Sequence, residues 1–102
     1  MRITLVAKID LDGKICPKSA FVLEKLQNSG LLAQIDCIIF ADKRDRFSEG
    51  FALATQYQVA KIPFFLITYQ DGITKTYTTY SQLVNEFLIQ KTLNTKEVEH
   101  NN

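Results

Sequence analysis

The sequence predicts an α/β fold in the order β-α-β-α-β-β-α, with a four-stranded mixed sheet flanked by helices on both faces. Three observations carry that prediction. Short β-rich apolar runs alternate with segments of helical spacing, which is the signature of parallel βαβ units. Asp71-Gly72 sits between two β-rich runs and marks a hairpin, which adds an antiparallel edge. The chain has 102 residues, with no repeat or Pro/Gly-rich linker to divide it, so one core has to serve all these elements.

Taken in order, the run Ile3, Leu5, Val6, Ala7 makes the segment Arg2 to Ile9 a strand. Asp10-Leu11-Asp12-Gly13-Lys14 is a turn cluster. A helix starts at Cys16, with Pro17 in the first helical position, where a missing N–H costs nothing. Ala20, Val22, Leu23 and Leu26 form its apolar face, and Gly30 supplies the stop. Ile35 to Ala41 is apolar at nearly every position after its Asp36, the pattern of a strand covered on both faces.

The charged run from Asp42 to Arg46 reads as a solvated loop. Ser48 is placed to cap a second helix reaching about Tyr57, with Phe47, Phe51 and Ala54 on one face and Gly50 as its weak point. Pro63 heads a strand from Phe64 to Tyr69, and Ile73 to Thr79 is its hairpin partner. Ser81 is expected to cap a last helix whose face is Leu83, Val84, Phe87 and Leu88. Residues 1–91 make the expected domain, and residues 92–102 a polar tail that should fray.

Composition narrows the function. Twelve Lys and Arg against eleven Asp and Glu leave a net charge of +1, which argues against a nucleic-acid or anionic-membrane binder acting through bulk charge. No apolar run approaches the ~20 residues of a membrane helix. The first charges come too early for a secretory leader, and two cysteines make no disulfide framework. The expected compartment is therefore the cytoplasm, with both thiols reduced.

Chemistry has two candidate locations. Cys16-Pro17-Lys18-Ser19 lies at a strand-to-helix junction, where unpaired N–H groups and a partial positive charge favour thiolate over thiol. Lys14 and Lys18 add positive charge beside it. The bland alternative is a small helix-capping residue that happens to be a thiol. The second location is Lys61-Ile62-Pro63-Phe64, where a proline opens a strand it cannot fully pair. A cis peptide is one common solution there, and a trans proline at a strand start is the ordinary one. Backbone groups left free before such a proline suit the strand-like docking of an extended peptide.

Together, Cys16-Pro17-Lys18-Ser19, the run from Gln56 to Phe65, which matches a Tyr-x-Val-x-x-x-Pro pattern, and the Asp71-Gly72 hairpin resemble the thioredoxin superfamily over about residues 2–90. The resemblance implies a thioredoxin-like fold in which the cysteine motif opens the first core helix and Pro63 is cis and touches Cys16. It further implies redox chemistry, with Cys16 as the nucleophile of an oxidoreductase. One departure restricts this: Ser19 stands where dithiol members carry the resolving cysteine. Cys37, inside a strand expected to be buried, reads as a core residue and no substitute.

A single thiol resembles monothiol glutaredoxin chemistry, which implies glutathione as a co-substrate and no bound cofactor. Cys16 would take a glutathionyl group from a mixed disulfide, and Ser19 would hydrogen-bond its thiolate. Lys14, Lys18 or Lys61 would pair with a glutathione carboxylate, and Pro17, Ile62 and Pro63 would shape the groove. The partner is thus glutathione or a thiol- or disulfide-bearing protein, with neither nucleic acid nor membrane involved. The sequence lacks both the Cys-Gly-Phe-Ser motif of cluster-carrying members and the Gly-Gly-x-Asp stretch that glutaredoxins place after the hairpin. That gap motivates a second reading from another class, a non-enzymatic binding or adaptor domain with a vestigial or regulatory Cys16.

Other chemistries fall away. His100 is the single histidine and lies in the tail, so neither a Cys-His pair nor a histidine-bearing zinc site is expected in the core. There is no Gly-rich phosphate loop. Asp10 and Asp12 are close to the motif, but turn formation accounts for them.

Overall fold

The computed structural model describes residues 1–100, with side chains through Gln90. Its elements are β1 (Arg2–Ile9), α1 (Pro17–Asn28), a 3-10 turn at Leu32–Gln34, β2 (Cys37–Asp42), α2 (Glu49–Gln56), β3 (Phe64–Thr68), β4 (Thr74–Tyr77) and α3 (Tyr80–His100). The sheet order is β2-β1-β3-β4, with β1 parallel to β2 and both other pairings antiparallel. Element order and sheet composition follow the sequence reading.

The pleat of the two central strands divides the core. Ile3 and Leu5 of β1 join Phe65 and Ile67 of β3 under Leu26 of α1 and Leu83 of α3. Val6, Phe64 and Leu66 point the other way and pack with Ala41 and with Ala54 of α2. The antiparallel register pairs Leu5 with Phe65 and Val6 with Phe64, so neighbouring residues serve opposite layers. Full burial of each phenylalanine contributes about 1.5–3 kcal/mol, and both lie directly after Pro63. The segment before β3 is thereby anchored from both layers.

Helix α1 ends as expected. Gly30 has φ +76°, its N–H donates to Gln27 O, and the Leu31 N–H donates to Leu26 O, the two bonds of a Schellman motif. Helix α2 ends the same way with Gln58 at φ +54°, its N–H donating to Thr55 O and the Val59 N–H to Ala54 O. The hairpin turns through Gly72 at φ +85°, and Asp71 Oδ1 accepts from the Ile73 amide.

Several expectations need correction. Strand β2 starts at Cys37 rather than Ile35 and is an edge strand, and its Ile38 and Phe40 side is not covered. Ile38 and Phe40 are 38% and 37% exposed on the face that α1 and α3 cover, because those helices centre on β1 and β3, and Cys37, on the α2 face, is only half-buried. In α1, Ala20 is exposed while Ser19 takes a fully buried position. Phe47 precedes α2 and is 87% exposed, outside the face it was assigned to.

The caps also differ. Ser48 stands at the N-cap of α2, but its hydroxyl accepts from the Asp42 amide and so ties the helix start to the end of β2. At α3 the cap is Thr79, not Ser81. Thr79 Oγ1 accepts from the Gln82 amide while Gln82 Oε1 accepts from the Thr79 and Thr78 amides, a reciprocal capping box. Leu88 is exposed rather than on the buried face. The polar segment expected to fray continues α3 as far as His100. Asn101, Asn102 and the side chains from Lys91 onward lie outside the described residues, and with them the rest of the expectation for the tail.

Gly50, weak in helix propensity, has a packing role. A Cβ there would lie 2.2 Å from Ala41 N and 2.4 Å from Phe40 C. Only glycine lets α2 approach the β2 backbone this closely.

Candidate functional site

The loop after β1 folds back on itself. Asp10 N donates to Lys14 O, Gly13 N donates to Asp10 O at φ +82°, and Ile15 bridges to Ile9. The Cys16 N–H then donates to Lys8 O at 2.9 Å. These bonds fix Cys16 at the N-cap of α1, with extended φ −64° and ψ 152° and Pro17 as the first helical residue.

At this cap the sulfur accepts from the Ser19 N–H at 3.4 Å, and the Cys16 thiol donates to Ser19 Oγ at 3.2 Å. Ser19 is fully buried, and Lys8 N donates to the same Oγ at 2.9 Å. A hydroxyl has one hydrogen to give and two lone pairs. Ser19 can therefore keep the Lys8 bond and turn its hydrogen toward a Cys16 thiolate, which then receives both the Ser19 N–H and O–H. The sulfur belongs to a residue only 5% exposed, at the floor of a cleft of about 450 Å³ that Lys8, Asp10, Pro17, Lys18, Lys61 and Ile62 help to line.

The Ile62-Pro63 peptide is cis. Among the described residues, the backbone groups of Lys61 and Ile62 have no hydrogen-bond partner. Pro63 lines a second cleft of about 410 Å³, which shares Lys18, Lys61 and Ile62 with the first and runs on between α1 and the start of α3. The two clefts adjoin at those three residues. No known family model, characterised protein or solved structure matches this chain. The site must be read from its own residues.

Of the residues singled out from sequence, Cys16, Pro17, Lys18, Lys61 and Ile62 meet in one cleft, Pro63 lines the adjoining one, and Ser19 lies beneath the sulfur. Lys14 lines neither; its amide donates to Asp12 Oδ1 in the turn. Sequence reasoning missed that Lys25 and Tyr80 join Phe21 in the far wall. Lys25 Nζ stands 4.8 Å from the Phe21 ring centroid and 5.2 Å from that of Tyr80, two cation–π contacts. Phe21 and Lys25 share one helix face at i, i+4, which was legible, but Tyr80 arrives from another element and was not.

Asp10 also belongs to the cleft, in addition to its place in the turn. Its carboxylate lies 3.8 Å from Lys43 Nζ. Among the described residues there is no group of three His, Cys, Asp or Glu able to hold a metal ion, and no helix is long and apolar enough to cross a membrane.

Proposed function

We propose that the protein is a thioredoxin-like, monothiol exchange protein of glutaredoxin-like type, with Cys16 as its nucleophile. The observation that carries this reading is the constellation around one sulfur: a helix-capping thiol in contact with Ser19 Oγ and N–H, opening into a cleft walled by Ile62 with its unpaired backbone. The β2-β1-β3-β4 order agrees with the same reading.

In the reaction, the Cys16 thiolate attacks the glutathione sulfur of a protein–glutathione mixed disulfide. The old S–S bond breaks, the protein leaves as a thiolate, and the glutathionyl group stays on Cys16. A glutathione thiolate then attacks this new disulfide, releasing oxidised glutathione and returning Cys16. Ser19 supplies two donors to the sulfur whenever it is anionic, and Lys18 and Lys61 face the incoming peptide's carboxylates. With no thiol at position 19, the mixed disulfide waits for glutathione instead of an internal cysteine.

The burial of Cys16 favours a second reading, an adaptor domain that binds its partner without turnover. The two separate cleanly. Exchange predicts that the protein removes glutathione from a glutathionylated model peptide, that Cys16→Ser abolishes this, and that Cys37→Ser does not. Equal activity in the Cys16→Ser protein refutes exchange through this residue.

A further inference from the structure

The two adjoining clefts carry more cations than acids in their walls, Asp10 at the Cys16 end being the one carboxylate and lying 3.8 Å from Lys43 Nζ. Lys18, Lys25 and Lys61 line them, and among the described residues none of the three forms an ion pair; the two salt bridges there are Lys43–Asp10 and Arg44–Asp42. The cleft past Pro63 has no acidic residue in its wall. Lys25 Nζ lies within cation–π distance of both the Phe21 and Tyr80 rings, which places a positive charge at the Tyr80 end of the second cleft. Between these ends the Ile62 backbone offers an unpaired donor and acceptor.

An unpaired strand-like backbone recognises extended main chain. A row of unpaired cations recognises carboxylates, and a ring-flanked cation suits an acidic residue next to an apolar or aromatic one. We infer that the groove from Cys16 past Pro63 to Tyr80 docks an extended acidic polypeptide segment, so that the exchange partner is a protein with acidic residues beside its reactive cysteine. This rests on the exchange reading for its meaning, but the docking itself needs no sulfur chemistry. A nucleic-acid strand fits less well, because the whole chain carries only +1.

Docking is measured on full-length Cys16→Ser protein by fluorescence anisotropy, with a fluorescein-labelled, cysteine-free peptide of alternating Glu and Phe. Binding is expected to weaken with added salt. Lys25→Glu and Lys61→Glu should each weaken it about fivefold or more. Lys75→Glu, on β4 and outside the groove, should leave it unchanged. A Lys-for-Glu peptide and a single-stranded oligonucleotide should bind far more weakly. The inference is overturned by equal losses in the Lys75 control, by preference for the oligonucleotide, or by absent peptide binding in protein that keeps the wild-type circular dichroism. Failure of the exchange assay with intact groove binding counts against Cys16 chemistry alone, and the reverse result against the docking alone.

Discussion

The hydroxyl oxygen of Ser19 is 3.2 Å from the sulfur of Cys16, and it simultaneously accepts the Lys8 amide. One buried side chain thus joins the end of β1, the first turn of α1 and the candidate nucleophile. Ser19→Ala removes the hydroxyl that accepts the Lys8 N–H. The expected cost is about 1–3 kcal/mol, measured by urea denaturation. Unchanged stability would show that this hydroxyl does not hold the junction.

Ser19→Cys puts a second thiol where the hydroxyl now contacts sulfur. Mild oxidation is then expected to form a disulfide between positions 16 and 19, read as a loss of two free thiols per chain on alkylation. Persistence of both thiols would mean that the cap geometry does not bring the two positions together in solution.

Gly50→Ala tests the contact between α2 and β2. The added methyl would enter the Ala41 and Phe40 backbone, which cannot rotate aside as a side chain can. A loss of about 1–3 kcal/mol or more is expected in denaturant titrations. A neutral substitution would contradict the close approach.

Behind the hairpin, Glu86 accepts from Tyr69 and Tyr77, whose hydroxyls lie 3.0 Å apart. The Tyr69 hydrogen bond, helped by Gln90 and Tyr77, holds the Glu86 carboxyl below its ordinary value of 4.5 against an opposing effect of burial. Burial first, then the bond to Glu86, pushes Tyr69 above its ordinary value of 10.0. The unfolded chain therefore binds protons at Glu86 sooner as pH falls, so this contribution is present above 4.5 and is lost as pH drops through the lowered folded value. On the alkaline side the folded chain holds the Tyr69 proton longer, so that contribution is full below 10.0 and is lost as pH rises through the raised folded value. Melting temperatures of Glu86→Gln should show a shallower acid limb than those of the unaltered protein. Parallel acid limbs would contradict the assignment.

Much of this fold was legible because local rules and tertiary packing agree. The strand of Ile3, Leu5 and Val6, the glycine stop at Gly30 and the Asp71-Gly72 turn each follow from short-range sterics. What was illegible depends on partners distant in sequence. An apolar run such as Ile38-Ile39-Phe40 reads identically in a central and an edge strand, and only the sheet order decides. Ser48 and Thr79 are both cap residue types, yet one hydroxyl turns to Asp42 and the other to its own helix. In the candidate site, Cys16, Ser19 and Pro63 stood out by position and Asp10 by its nearness to the motif, whereas Tyr80 joins the second cleft only through tertiary packing.

The most direct test is to map where a glutathionyl group lands. The protein is exposed to a glutathionylated peptide at equal concentration, quenched with acid, digested and read by mass spectrometry, with Cys37 as the internal control. The account predicts an adduct on Cys16 that disappears on adding free glutathione, with Cys37 unmodified. An adduct confined to Cys37, or none on Cys16, would contradict it.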